Sequence, residues 1–343
     1  TVNLHLPGQT SNLLNLVHDE RSYINGLVNA YQGGRIGGNV FFFNPHGIVV
    51  GAGGVLNVGS LTLATPTAAY MDRLISPAGD IDAATTADAL AGHIPLSQTG
   101  LVLVKGRINA ADAVSLAGGN IEVAPGARIL AGGQGKVAFA DLVNVDGMQT
   151  AADVKLEGGV IRIVAAEDIT VAGQVSADGV GANAHGGMVT VMAERNANLQ
   201  AGAVISANGG DSGDGGFVEF SAKDTVTLAG GSLQARAAQG VAGTVLIDPS
   251  TLNLTADLLR GNGNANSDGI TWDAGSLTLK AEKKLTVDGA VISTRQVAGN
   301  TRADHINGAS TGNSGDLSLS AKEIEIKNGS QLLANVESGS AYS

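Results

Sequence analysis

Five short alternating stretches end on alanine, at positions 165, 193, 222, 281 and 321, and their spacing constrains the fold more than any other feature of the chain. The intervals are 28, 29, 59 and 40 residues: two nearly equal, one close to double, and one lengthened by the polar, Gly-rich insert 300–315. The stretches are 161–165, 189–193, 218–222, 277–281 and 317–321. Four of the alanines are followed by a second alternation, at 168–171, 225–228, 284–287 and 323–326, and then by a turn such as Ala172-Gly173 or Asp288-Gly289. Alternation over four or five residues is the period of a half-buried strand. Val, Ile, Leu and Thr in these runs, bounded by turn residues, strengthen that assignment. One such unit cannot bury its own inner face, whereas stacked units bury it between parallel strands. The repeat therefore predicts an all-β chain folded as a right-handed parallel β-helix, with Ala where each coil turns tightly. Hairpin-based sandwiches need shorter, variable spacings, and propeller blades need roughly 40–50 residues.

Composition agrees. Fifty of the 343 residues are Gly, which disfavours long helices because each helical Gly costs about 1 kcal/mol relative to Ala. An apolar fraction of 43% against 15% charged residues opposes disorder. No apolar run reaches the roughly 20 residues of a membrane-spanning helix. The net charge of −11 comes without a basic cluster beyond Lys283-Lys284, so no nucleic-acid partner is expected. The absence of Cys excludes disulfides, thiolate metal sites and a Cys nucleophile. The first residues lack the basic and apolar regions of a signal peptide, so none is expected within this sequence.

Most candidate chemistry dissolves on inspection. Asp211 and Asp214 lie in a Gly- and Ser-rich loop, 208–216, with too few oxygen ligands for Ca²⁺. Residues 264–269 resemble the start of an EF-hand loop, but the twelfth position is Gly275 instead of Glu, so a surface turn is expected. The histidines at 5, 18, 46, 93, 185 and 305 show no zinc-ligand spacing. No Gly-x-Ser-x-Gly elbow or Walker loop occurs. The expectation is a protein without catalytic residues, metal or cofactor. β-Helices also host polysaccharide lyases and hydrolases, and that alternative lacks its clustered carboxylate and Arg constellation here.

The segment 37–51 is distinctive, with three of the six Phe residues in succession, then Asn44, Pro45, His46, Gly47 and Ile48. Pro45 suits the second position of a turn, Gly47 supplies positive φ, and Asn44 can bond the backbone two residues on. This stretch resembles the Asn-Pro-Asn-Gly-Ile type motif of the N-terminal secretion domain of two-partner-secretion exoproteins, the filamentous-haemagglutinin-like adhesins of Gram-negative bacteria. His46 stands where the family usually has a second Asn. The likeness extends to 13–17 and 23–26 upstream, to 51–63 downstream, and to a Leu-Ile-Asp-Pro type element at 246–249.

The resemblance implies a secretion domain over 1–250, including an N-terminal cap and an insertion at about 66–100, followed from 251 to 343 by the first adhesin repeats. Short helical turns are expected around 87–91 in the insertion. The resemblance further implies that residues 44–48 are recognised by the periplasmic domains of a cognate outer-membrane transporter. The chain would then pass through the periplasm and act as a secreted or cell-surface, non-enzymatic adhesin in biofilm or surface attachment. Exopolysaccharide or host glycan is the expected ligand. Asp248 and Pro249 are expected to form a structural turn where coil geometry changes. A contact-dependent toxin-delivery exoprotein shares this N-terminal domain and is the alternative within the family.

Overall fold

The computed structural model describes residues 1–75, 78–139, 156–261, 270–297, 302–308 and 312–335. Thirty strands of the described residues form one sheet that winds as a parallel β-helix with three faces. The first face stacks Asn12–Leu16, Asn39–Phe43, the second half of Val55–Ala64, and so on through Val160–Ala165, Met188–Ala193 and Phe217–Leu228 to Asp316–Ser320. The second face runs from Ser22–Ile24 to Glu323–Lys327, and the third from Val2–Leu6 to Gln331–Leu333. Among the described residues all strand pairs are parallel except Leu27–Gln32 with Arg35–Ile36. Each coil hands its inward Val, Ile, Leu and Ala to one continuous core, in which most members are fully buried. Fully burying a Val, Leu or Ile contributes roughly 1.5–3 kcal/mol, so each added coil deepens the same core.

The alanine repeat maps onto this stack. Ala165 pairs with Ala193, Ala193 with Ala222, and Ala222 with Pro249. The doubled interval in the sequence therefore spans two coils, with Pro249 in the alanine's place in the one between Ala222 and Ala281. A second column of small residues was not anticipated from the sequence. The pairs Gly158-Gly159, Gly186-Gly187 and Gly215-Gly216 stack at the corner where the chain enters the first face. A Cβ on Gly187 would overlap Gly159 O, and one on Gly216 would overlap Gly187 O. Only glycine lets successive backbones approach so closely there.

The first coils are built differently. Asn3, Asn29, Asn57 and Asn109 occupy one register column of the third face. Each side-chain amide donates to the Oδ1 of the coil before: Asn29 to Asn3 at 3.1 Å, Asn57 to Asn29 at 2.8 Å and Asn109 to Asn57 at 2.8 Å. Leu130, paired with Asn109, ends the ladder.

Among the described residues four helices leave the coils. Helix α1 (Ala68–Leu74) and helix α2 (Ala83–Ala91) are capped by Thr67 and Asp82, and Gly92 closes α2 in a left-handed conformation. Helix α3 is Gly133–Phe139 and helix α4 is Arg302–Asn307. The insertion that carries α1 and α2 pinches shut at a neck, where Thr67 N donates to Pro95 O at 2.9 Å and Ser97 N to Thr65 O at 2.8 Å. The ladder on either side thus continues undisturbed. Tyr70, Met71, Leu74 and Ala89 pack on Phe41, Phe43 and Ala64, which point outward from the first face. The Tyr70 hydroxyl donates to Thr85 O at 3.1 Å and ties the two helices together.

A local inversion interrupts the third face. Strand Ile270–Asp273 inserts between Ser232–Gln234 and Leu258–Arg260, ahead of its sequence order. Trp272, the single tryptophan of the chain, is fully buried in this wedge and donates to Ser293 O at 3.1 Å. The Arg260 guanidinium lies 5.7 Å from its ring centroid. Strands on the first and second faces pair on both sides of position 250, with a register shift between the pairs Ala222–Pro249 and Thr225–Thr251.

Candidate functional site

Residues 44–48 form the turn between the first and second faces of the second coil. Gly47 N donates to Asn44 O at 3.1 Å, closing a four-residue turn with Pro45 at its second position. Asn44 is 1% exposed and spends its whole side chain. Its Nδ2 donates to Glu20 O at 2.7 Å and to Ser22 Oγ at 2.8 Å, both in the first coil. Its Oδ1 accepts from His46 N at 2.9 Å, the bond two residues on that an Asn at this place offers. Its backbone N donates to Ala64 O at 3.1 Å, in the third coil. One side chain and its peptide therefore clamp three successive coils.

The neighbouring residues complete the clamp. Gly47 has φ +115°, and a Cβ there would lie 2.7 Å from Leu101 O. Its carbonyl accepts from Ser22 N at 3.0 Å, and Arg21 Nε donates to His46 O at 3.3 Å. Pro45 is buried and Ile48 is fully buried in the main core. His46 is the exposed member, which explains why this turn tolerates His in place of Asn: only its backbone takes part in the turn's bonds.

Asp248 and Pro249 lie far along the solenoid from this turn, on the coil that follows Phe217–Leu228. Strand Thr244–Ile247 ends before Asp248, and Pro249 opens the next strand, Pro249–Leu254. Asp248 N donates to Ser221 Oγ at 3.2 Å, and Lys280 Nζ sits 2.7 Å from Asp248 Oδ2. That bond holds the Lys280 ammonium above its ordinary pKa. The structure does not bring the two turns together into one site.

The other polar residues picked out in the sequence have structural partners. Asp214 Oδ1 accepts from Val241 N at 2.7 Å, Asp214 N donates to His185 Nδ1 at 3.0 Å, and His185 N donates to Glu157 Oε2 at 2.6 Å. These bonds stitch successive loops together at coil spacing. Among the described residues no group of three or more His, Cys, Asp or Glu is placed to hold a metal ion. Residues 264–269, with their EF-hand-like start, lie outside the described residues. Sequence reasoning missed the Asn ladder and the Gly-Gly corners. The latter had a signal, a Gly pair immediately before each first-face strand at 160, 188 and 217.

The family described as the TPS secretion domain matches residues 1–187, which include the whole clamp, the α1–α2 insertion and the Asn ladder. A comparison with curated proteins found no match.

Proposed function

The chain belongs to the TPS secretion domain family, and from that premise we propose that residues 44–48 act as the export signal of a large surface adhesin. Membership makes it part of a secreted two-partner-secretion exoprotein, with a cognate outer-membrane transporter and a route through the periplasm to the cell surface or beyond. The family is a secretion domain, not an enzyme family.

Our reading of the signal rests on the clamp. Folded, Asn44 offers a partner nothing, because both amide N–H groups are bonded within the chain and the side chain, Oδ1 included, is buried. The transporter therefore meets residues 44–48 before the turn closes, as an extended segment open to strand addition. Closure outside the cell withdraws the segment and fixes the first three coils as the template for those that follow. On this reading residues 1–250 serve export and nucleation, and 251–343 begin the adhesive shaft, without enzymatic activity. Attachment in biofilm or to a surface, through exopolysaccharide or host glycan, is the function we assign to the shaft.

The experiment expresses the chain behind a signal peptide, with and without the transporter, and compares Asn44→Ala and Ser22→Ala. Both variants lose a bond of the clamp, so both lower the melting temperature of protein refolded in vitro. Only Asn44→Ala is expected to lower release into the medium by tenfold or more. Equal loss of export in the two variants would reduce Asn44 to a structural role, and transporter-independent release of the parent chain would overturn the export reading itself.

A further inference from the structure

The Leu-Ile-Asp-Pro element does more in the fold than end a strand. With Pro249 in the alanine column, the corner between the first and second faces opens into a groove of about 510 Å³. Its walls come from four successive coils, from Met192 through Ser221 and Asp248 to Lys283. At about 4.8 Å per coil the groove spans on the order of 14 Å along the axis, the reach of a short oligomer.

The charges in the groove are divided. Lys280 is paired with Asp248, and Lys223 is paired with Glu194. Glu219, Asp224, Glu282 and Lys283 line the groove and form no ion pair or side-chain hydrogen bond with the described residues. Glu219 feels the charge of Lys280 and Asp224 that of Arg195, and the lining as a whole holds four carboxylates against three ammonium groups. That balance repels phosphate, sulfate and uronate chains, and it offers adjacent acceptors to vicinal hydroxyl groups. Met192, 39% exposed, supplies an apolar wall suited to the C–H face of a sugar ring. Ser250 is 7% exposed and lines the groove, and its Oγ has no hydrogen-bond partner among the described residues. A buried hydroxyl without a partner costs about 1–3 kcal/mol, and rotation of the Ser250 side chain toward the groove would let a ligand hydroxyl satisfy it. The fixed elements are set by the fold: Asp248 N donates to Ser221 Oγ, Lys280 Nζ donates to Asp248 Oδ2, and Lys283 N donates to Ser250 O at 2.8 Å.

We propose that this groove is a binding site for a neutral, polyhydroxylated saccharide chain, with Glu219, Asp224 and Glu282 accepting hydroxyl donors, Lys283 donating, and Met192 under a ring face. The proposal rests on the attachment reading above and gives it a place and a ligand class.

The test screens the secreted chain on an array of neutral, amino- and uronic-acid-containing oligosaccharides, then titrates the strongest neutral binder by calorimetry. Glu219→Gln and Lys283→Met each remove one charge-assisted bond at the surface without touching the core, and each is expected to weaken binding about tenfold. Circular dichroism melting confirms that the variants remain folded, and Lys105→Met, far from the groove, is the control. Neutral-glycan binding that survives both substitutions would overturn the site while leaving glycan attachment in place. Binding confined to uronic or amino sugars would overturn the ligand class. No binding to any saccharide would overturn the site, and attachment of transporter-secreted chain to abiotic surfaces then decides separately whether the adhesive reading stands.

Discussion

The coils before residue 131 and those after 156 solve the same stacking problem by opposite means. The early coils carry a buried column of asparagines and an outer face covered by α1 and α2. The asparagine column ends at Leu130, and the later coils carry Ser176, Ser206 and Gln234 at its positions. They rely instead on Gly-Gly corners and leave much of the first face open, with Val160, Met188 and Met192 exposed. An amide ladder demands one partner per coil in a defined register, so it fixes which coil follows which. A glycine corner demands only closeness and repeats at each level. The difference separates a region built to set register from one built to propagate it.

The sharpest way to break that contrast is to put a methyl group in the propagating corner. Gly216→Ala forces a Cβ against Gly187 O, which is backbone and cannot swing aside. We expect a loss of about 3–5 kcal/mol, seen as a large drop in the chemical-denaturation midpoint. If the coils are quasi-independent, hydrogen exchange will show protection lost near residues 187–247 and kept in the first coils. Uniform loss throughout would mean that the two regions fold as one cooperative unit.

The register-setting column gives a smaller, graded effect. Asn57 bonds to both neighbours, whereas Asn109 is the last member and already meets Leu130. Asn57→Leu leaves Asn29 Oδ1 and the Asn109 amide without partners inside the protein, a cost of about 2–4 kcal/mol. Asn109→Leu strands only Asn57 Oδ1 and extends the apolar column, so about 1–2 kcal/mol is expected. Thermal melts of the two variants decide the matter: equal destabilisation would show that the ladder has no direction and sets no register.

How much of this was legible depends on whether the chain keeps its period. The alternating strands, the Ala column and the turn at Asn44 sit within uninterrupted coils, and the parallel β-helix could be read from them. The asparagine ladder was not read, because its spacings are 26, 28 and 52 residues, the last stretched by the α1–α2 insertion. The wedge at Trp272 was hidden for a stronger reason: a strand later in the sequence takes an earlier place in the sheet, and no local pattern reports order in space. The groove beside Pro249 needed four coils to be stacked before its walls existed. What the sequence did expose there was the interval of 59, in which one alanine was missing.

The two covers on the solenoid sharpen the comparison further, because one is apolar and the other is not. Helices α1 and α2 dock through Phe43, Met71 and Leu74. Helix α4 docks against the third face through charges and amides. Arg302 pairs with Asp257, Arg295 donates to the carbonyls of His305 and Gly308, and fully buried His305 places Nδ1 2.7 Å from Ser293 Oγ. His305 Nε2 has no partner among the described residues. Burial pushes this imidazole below its ordinary pKa, reinforced by the nearby Arg295 guanidinium, while a backbone bond and the carboxylates of Asp304 and Asp257 oppose the shift only in part. Once α4 is released, His305 regains the ordinary value near 6.5 and binds the proton that the docked form refuses. Docking is therefore at full strength above that pH and weakens as pH falls below it. Hydrogen exchange at pH 7.5 and pH 5.5, corrected for intrinsic rates, should show α4 losing protection at the lower pH while α1 and α2 keep theirs. His305→Gln should flatten the pH dependence of α4 and lower its protection at both pH values, since the amide restores a neutral partner for Ser293 in a different shape. Equal pH sensitivity of the two covers, or a parent and variant that fall together, would place the titrating group elsewhere and remove the distinction between an apolar and a polar cover.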